Sequence, residues 1–173
     1  RPFSLLETMR LQDGIILRLE RHLRRIRASA DYFGYDWDDA RVTEAITRAR
    51  DAHAGGLWRL RLLIDASGAP TVTCSTHEDE AGRRWRVALA DTPIDDRSPF
   101  LFNKTTAREV YDAARRQRPD ADDVLLWNAR GEITESTIAN VVVELMGARV
   151  TPPITCGSRI LITTASARAS RSA

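Results

Sequence analysis

Phe102-Asn103-Lys104-Thr105-Thr106-Ala107-Arg108 holds the one lysine of the chain, set against 25 arginines. A sequence that has drifted almost wholly to arginine keeps an amine at this place alone. For salt bridges, apolar stems and solubility, arginine serves as well as lysine. What a guanidinium cannot do is lose its proton near neutral pH and attack a carbonyl, because its pKa lies above about 12. The lysine count therefore points to an amine-specific task at Lys104, Schiff-base formation foremost. An ordinary surface lysine would leave the same count, so its surroundings must decide.

Upstream of the lysine, residues 91–99 carry Pro93, Pro99 and several polar side chains, the composition of a link between lobes. We place the link at 95–99, a small α+β lobe at 1–94, and the start of a larger lobe at 100–157. The first lobe reads as a strand over 3–11, a Gln12-Asp13-Gly14 turn and a return through Ile15. Leu19, Leu23, Ile26, Ala30 and Phe33 recur at helical spacing, with Gly34 at the C-cap position. Asp38 or Asp39 can cap a second helix running to about residue 54. Strands over 57–64, 70–75 and 84–90 then complete a mostly antiparallel sheet. Downstream, Thr105 or Thr106 can cap a helix reaching 117, followed by strands at 124–127, 132–134 and 140–145.

Composition sets the outer limits. A chain of 173 residues with 43% hydrophobic and 29% charged residues suits a globular protein with a real core. No apolar run approaches the roughly 20 residues that cross a bilayer, so no membrane role is expected. Cys74 and Cys156 are too few for a disulfide framework and fit a reducing cytoplasm. Arg21, Arg24, Arg25 and Arg27 crowd one stretch, yet the net charge is only +2, which argues against nucleic-acid binding. No metal-ligand spacing stands out. The first residue is Arg1, which points to a piece of a longer polypeptide.

Four stretches carry a resemblance. Leu6-Glu7-Thr8-Met9-Arg10 and Leu19-Glu20-Arg21-His22-Leu23-Arg24-Arg25-Ile26 match the first lobe of the class IV aminotransferases. Asn103-Lys104-Thr105-Thr106-Ala107-Arg108 with Tyr111-Asp112, and Gly131-Glu132-Ile133-Thr134-Glu135-Ser136-Thr137-Ile138-Ala139-Asn140, match the second. Each motif is weak alone; four in order are specific. The Lys-Thr-Thr-x-Arg form is most similar to aminodeoxychorismate lyases, including those fused behind aminobenzoate synthase component I.

The resemblance implies a two-lobed α/β fold like that of D-amino acid aminotransferase, with pyridoxal 5'-phosphate as cofactor. Lys104 would carry the cofactor as an imine and then move protons at the substrate Cα. Glu135 would pair with the pyridine nitrogen, Arg25 would bind the phosphate, and Asn140 would belong to the cofactor site. Thr8 and Arg108 would line the substrate. Taken alone, these are a solvated glutamate, an exposed helical arginine and an ordinary strand threonine, and His22 packs or caps. The implied reaction is release of pyruvate and 4-aminobenzoate from 4-amino-4-deoxychorismate, a step toward folate. A transaminase of branched-chain or D-amino acids, or an inactive remnant that only binds, are the alternatives. The implied partners are a small-molecule substrate, a second copy in a homodimer, and an upstream synthase domain in fused forms. After Cys156-Gly157 the sequence leaves the family pattern. Residues 158–173, rich in Ser, Ala, Thr and Arg, therefore read as an atypical tail and the second lobe as truncated.

Overall fold

The computed structural model describes residues 3–77 and 82–153. The chain divides into two compact units, Arg1–Asp79 with Asn103–Ala107 and Glu80–Phe102 with Arg108–Ala173.

In the first unit, β1 (Leu5–Gln12) turns through Asp13 and Gly14 into β2 (Ile15–Ile16). Both turn residues have positive φ, 48° and 77°, as a two-residue hairpin requires. Two helices follow, α1 (Leu19–Phe33) and α2 (Asp39–Asp51). Gly34 closes α1 in the left-handed conformation, and the Asp38 carboxylate caps α2 by accepting from the Ala40 and Arg41 amides. β3 (Leu57–Ile64) and β4 (Pro70–Thr76) complete an antiparallel sheet of order β2-β1-β3-β4.

Strand alternation sorts the sheet into two faces. Leu5, Met9, Leu11, Leu60, Leu62 and Ile64 pack with Ile26, Ala30, Val42 and Ile46 of the helices to form the core. Glu7 lies in register with the apolar set, opposite Leu62. The other face carries Thr8 opposite Arg61, and Arg10 opposite Arg59.

Because β2 is two residues long, it covers only the far end of β1. Residues 103–107 cover the near end. Thr105 bridges antiparallel to Leu5, the Leu6 amide donates to the Lys104 carbonyl at 2.8 Å, and the Thr106 amide donates to the Ser4 carbonyl at 2.9 Å.

The second unit holds β5 (Val87–Leu89), a one-turn α3 (Pro99–Phe102), α4 (Glu109–Gln117), β6 (Asp123–Trp127) and β7 (Ile133–Ser136). Its sheet runs β5-β6-β7, with β5 parallel and β7 antiparallel to β6. Leu101, Tyr111, Ala114, Val124 and Leu126 form its core. A hairpin of β8 (Val143–Leu145) and β9 (Ala148–Val150) turns at Met146 and Gly147. No helix among the described residues is long and apolar enough to cross a membrane.

Three expectations change. The strand sought at 84–90 shrinks to Val87–Leu89 and joins β6 in the second unit, so the division does not fall at 95–99. Neither Thr105 nor Thr106 caps α4; Thr105 is committed to the bridge with Leu5, and the Thr106 hydroxyl accepts from the Ser4 amide. The helix instead begins at Glu109, behind Arg108, with no side-chain cap. Glu135 lies within β7 rather than after a strand ending at 134. The tail at 158–173 and Cys156 lie outside the described residues.

Candidate active site

A carboxylate at the centre of an apolar strand face needs an explanation, because an isolated buried charge is strongly disfavoured. Glu7 is 0% exposed. Its compensation comes from one face of α1. Arg25 forks onto it, Nε to Oε1 at 2.5 Å and Nη2 to Oε2 at 2.5 Å, and His22 Nδ1 lies 2.8 Å from Oε2. Residues three apart on a helix share a face, so one helix delivers both partners. Burial alone would push the Glu7 carboxyl up. The hydrogen bonds from His22 and Arg25 and the charges of Arg25 and Lys104 outweigh it and hold the group below its ordinary value. An ionised Glu7 can only accept, so the His22 Nδ1 carries the proton in this contact. His22 thus packs against a buried anion.

The strip bearing Lys104 is tied to the same helix. Ser29, one turn beyond Arg25, donates its hydroxyl to Asn103 Oδ1 at 2.8 Å. Across the bridge, residues side by side share a sheet face. Thr105 therefore goes with Leu5 to the core side, and Lys104 with Leu6 and Thr8 to the other. Thr105 is buried, and among the described residues its hydroxyl has no hydrogen-bond partner. The face of Lys104 and Thr8 also bears Arg10, Arg59 and Arg61, all exposed, and among the described residues none of the three pairs with a carboxylate. Thr8 and Lys104 thus share one face along the first half of β1, and Arg25 lies with Glu7 on the other.

The remaining expected residues belong to the second unit. Glu135 on β7 accepts a 2.8 Å hydrogen bond from the buried Tyr111 hydroxyl. Arg108 stacks over the Tyr111 ring, 4.4 Å from its centroid, and donates through Nη2 to the Thr137 carbonyl. Both contacts lie within its own unit. The turn from Ser136 to Ala139, just before the half-buried Asn140, is held by Asp123. That buried carboxylate accepts from the Ser136 hydroxyl, both donors of Thr137 and the Ala139 amide.

Two residues carry weight here that their motifs alone did not disclose, Glu7 and Tyr111. Glu7 had a signal: it is the charged member of an otherwise apolar alternation, Leu5, Met9, Leu11. Tyr111 had none, since only the tertiary fold brings its hydroxyl to Glu135.

Against known proteins, the description "Amino-transferase class IV" matches residues 4–169. The chain belongs to the class IV aminotransferases. Members of this family are pyridoxal 5'-phosphate enzymes. A protein of Schizosaccharomyces pombe named "Putative aminodeoxychorismate lyase" is 32% identical over 160 residues, covering 89% of this chain and 68% of its own length. A crystal structure from Mesorhizobium loti, titled a "Putative amino-acid aminotransferase", superposes with TM-score 0.82 at 37% identity, over 90% of this chain and 77% of that one. A Legionella pneumophila structure titled "Putative 4-amino-4-deoxychorismate lyase" shares the fold, with TM-score 0.76 at 20% identity, over 92% and 65% of the two chains.

The donor set of this class IV chain suits the family cofactor. A single amine at Lys104 and an arginine at Arg25 with one edge committed to Glu7 are the donor types that an aldehyde bearing a phosphate would engage.

Proposed function

We propose that the chain binds pyridoxal 5'-phosphate on Lys104 and acts as a 4-amino-4-deoxychorismate lyase, releasing pyruvate and 4-aminobenzoate. The observation that carries this reading is the one amine of the sequence, tied to β1 in a strip next to a buried carboxylate–arginine pair. When bound, the cofactor supplies a carbonyl for amines and a ring that accepts the electrons of a broken Cα–H bond.

The chain's own residues have distinct parts. Lys104 would hold the cofactor and would take the proton from the substrate Cα. Glu135 would pair with the ring nitrogen and keep it protonated, its carboxylate oriented by the hydrogen bond from Tyr111. Arg25 would receive the phosphate, and Asn140 would be a further cofactor-binding residue. Arg10, Arg59 and Arg61 on the face of Thr8 favour a substrate carrying more than one carboxylate, as aminodeoxychorismate does. Among the relatives, the name of the S. pombe protein supports the lyase reading.

The test is reductive trapping. Borohydride treatment after loading should fix a pyridoxyl group on the peptide containing Lys104, and Lys104→Ala should show none. Loaded protein should then release pyruvate from aminodeoxychorismate with no amino acceptor present. Formation of the pyridoxamine cofactor from branched-chain or D-amino acids, without that release, would replace the lyase by a transaminase. That second reading is favoured by the 37% identity to the M. loti aminotransferase. Absence of any trapped adduct would leave a chain that only binds.

A further inference from the structure

A buried ion pair is weak evidence for stability, because well-packed apolar residues of similar volume often do as well or better. The Glu7–Arg25 pair therefore calls for a role beyond holding the sheet to α1, and its geometry is asymmetric in a telling way. The Glu7 side chain is 1% exposed while the Arg25 side chain is 24% exposed. Glu7 takes Nε and one donor of Nη2 in a fork, which fixes both position and plane of the guanidinium. Among the described residues nothing takes Nη1. The pair is thus an arginine anchored at one edge by a buried carboxylate, on a side chain that keeps a quarter of its surface exposed.

We propose that Glu7 is a positioning residue for phosphate binding: it anchors the inner edge of Arg25 so that the outer edge meets a phosphate monoester in one orientation. This inference rests on the reading of pyridoxal 5'-phosphate as the ligand. An arginine free at both edges loses several rotamers when it binds an anion, and that loss weakens binding. Glu7 makes the ordering part of folding instead. Glutamine cannot substitute, since it can accept at only one of the two donors and turns its own N–H toward the other. Aspartate cannot either: it keeps the charge but falls short by one methylene.

The two variants separate orientation from charge. If Glu7 acted only as a competing anion, Glu7→Gln would tighten phosphate binding and Glu7→Asp would leave it nearly unchanged. Under positioning, both variants weaken it.

The measurement is the ratio of dissociation constants for pyridoxal and pyridoxal 5'-phosphate, read by absorbance or fluorescence in the parent, Glu7→Gln and Glu7→Asp proteins. The ratio isolates the phosphate and cancels effects on the rest of the site. We expect it to fall roughly five- to tenfold in both variants, the range set by ordering one long side chain. In an Arg25→Gln background, Glu7→Gln should leave the ratio unchanged, because Glu7 acts through Arg25. A ratio unchanged or raised in both Glu7 variants, with the parent binding normally, overturns the inference and leaves the function standing. A parent that takes up no pyridoxal 5'-phosphate overturns both. If Glu7→Gln fails to fold, Glu7→Asp decides alone by the same two outcomes. A loss of thermal stability with an intact ratio also counts against the inference, since it marks a role in packing only.

Discussion

At the scale of residues, Glu7 couples stability to pH. Its carboxyl is held below the ordinary value of 4.5, since His22, Arg25 and Lys104 outweigh the upward push of burial. A carboxyl with a depressed folded-state value contributes stability that is fully present above the unfolded-state value. That stability is lost as pH falls through the folded one. Unfolding free energy should therefore drop as the medium is acidified below about 4.5. Glu7→Gln should drop less steeply, the slopes differing by up to about 1.4 kcal/mol per pH unit. Parallel slopes in urea titrations would mean that Glu7 is already protonated in the fold. The two partners should also differ when truncated. Arg25→Ala strands an anion that the sheet cannot release, with His22 and the Thr8 amide as its remaining donors, and should cost about 3 kcal/mol. Glu7→Ala should cost less, because an arginine 24% exposed can swing into water.

Among the elements, turns and edges carry the sharper expectations. Gly68 sits at φ +74°, and a Cβ there would stand 2.7 Å from the Asp36 carbonyl oxygen, a backbone atom that cannot easily move aside. Gly34 has a similar φ of +65° with nothing within 4 Å. Gly34→Ala should then cost only the left-handed penalty, about 1 kcal/mol, whereas Gly68→Ala should cost at least about 2 kcal/mol. Equal losses would mean that the loop at Asp36 yields freely. In the second unit, Asp123→Ala removes the acceptor of four donors in the turn after β7 and should cost about 3 kcal/mol by chemical denaturation. The first helix, at 19–33, and the strand at 57–64 were legible because their signals are local: apolar spacing with a closing glycine, and an apolar run between turns. The sheet that β5 joins was not, because its partner residues on β6 lie 36 positions further on, as Val87 opposite Asp123 shows, and no local pattern records a parallel neighbour. The site divides in the same manner. Lys104 was legible from composition, whereas Glu7 draws its meaning from two residues of α1 and one of a strip near residue 104, brought together only by folding.

In the molecule as a whole, the polypeptide leaves the first unit, builds part of the second, returns for residues 103–107, and departs again. Native-state amide exchange should expose this interleaving. The Thr106 amide, bonded to the Ser4 carbonyl, should open together with β1 and β3, and the Asp112 amide of α4 should open with the second unit. Were Thr106 to exchange with α4 instead, the strip would not be part of the first unit. The returning strip also has a consequence during synthesis. While translation runs from residue 64 to residue 107, the outer margin of β1 around Leu5 and Leu6 has no strand beside it. At about 5–20 residues per second, the nascent chain carries that unsatisfied apolar margin for roughly several seconds. An open strand margin is a place where another chain can add itself. Yield in the cell should therefore depend on translation speed and chaperone cover across this interval, and the lysine arrives on the segment that ends the exposure.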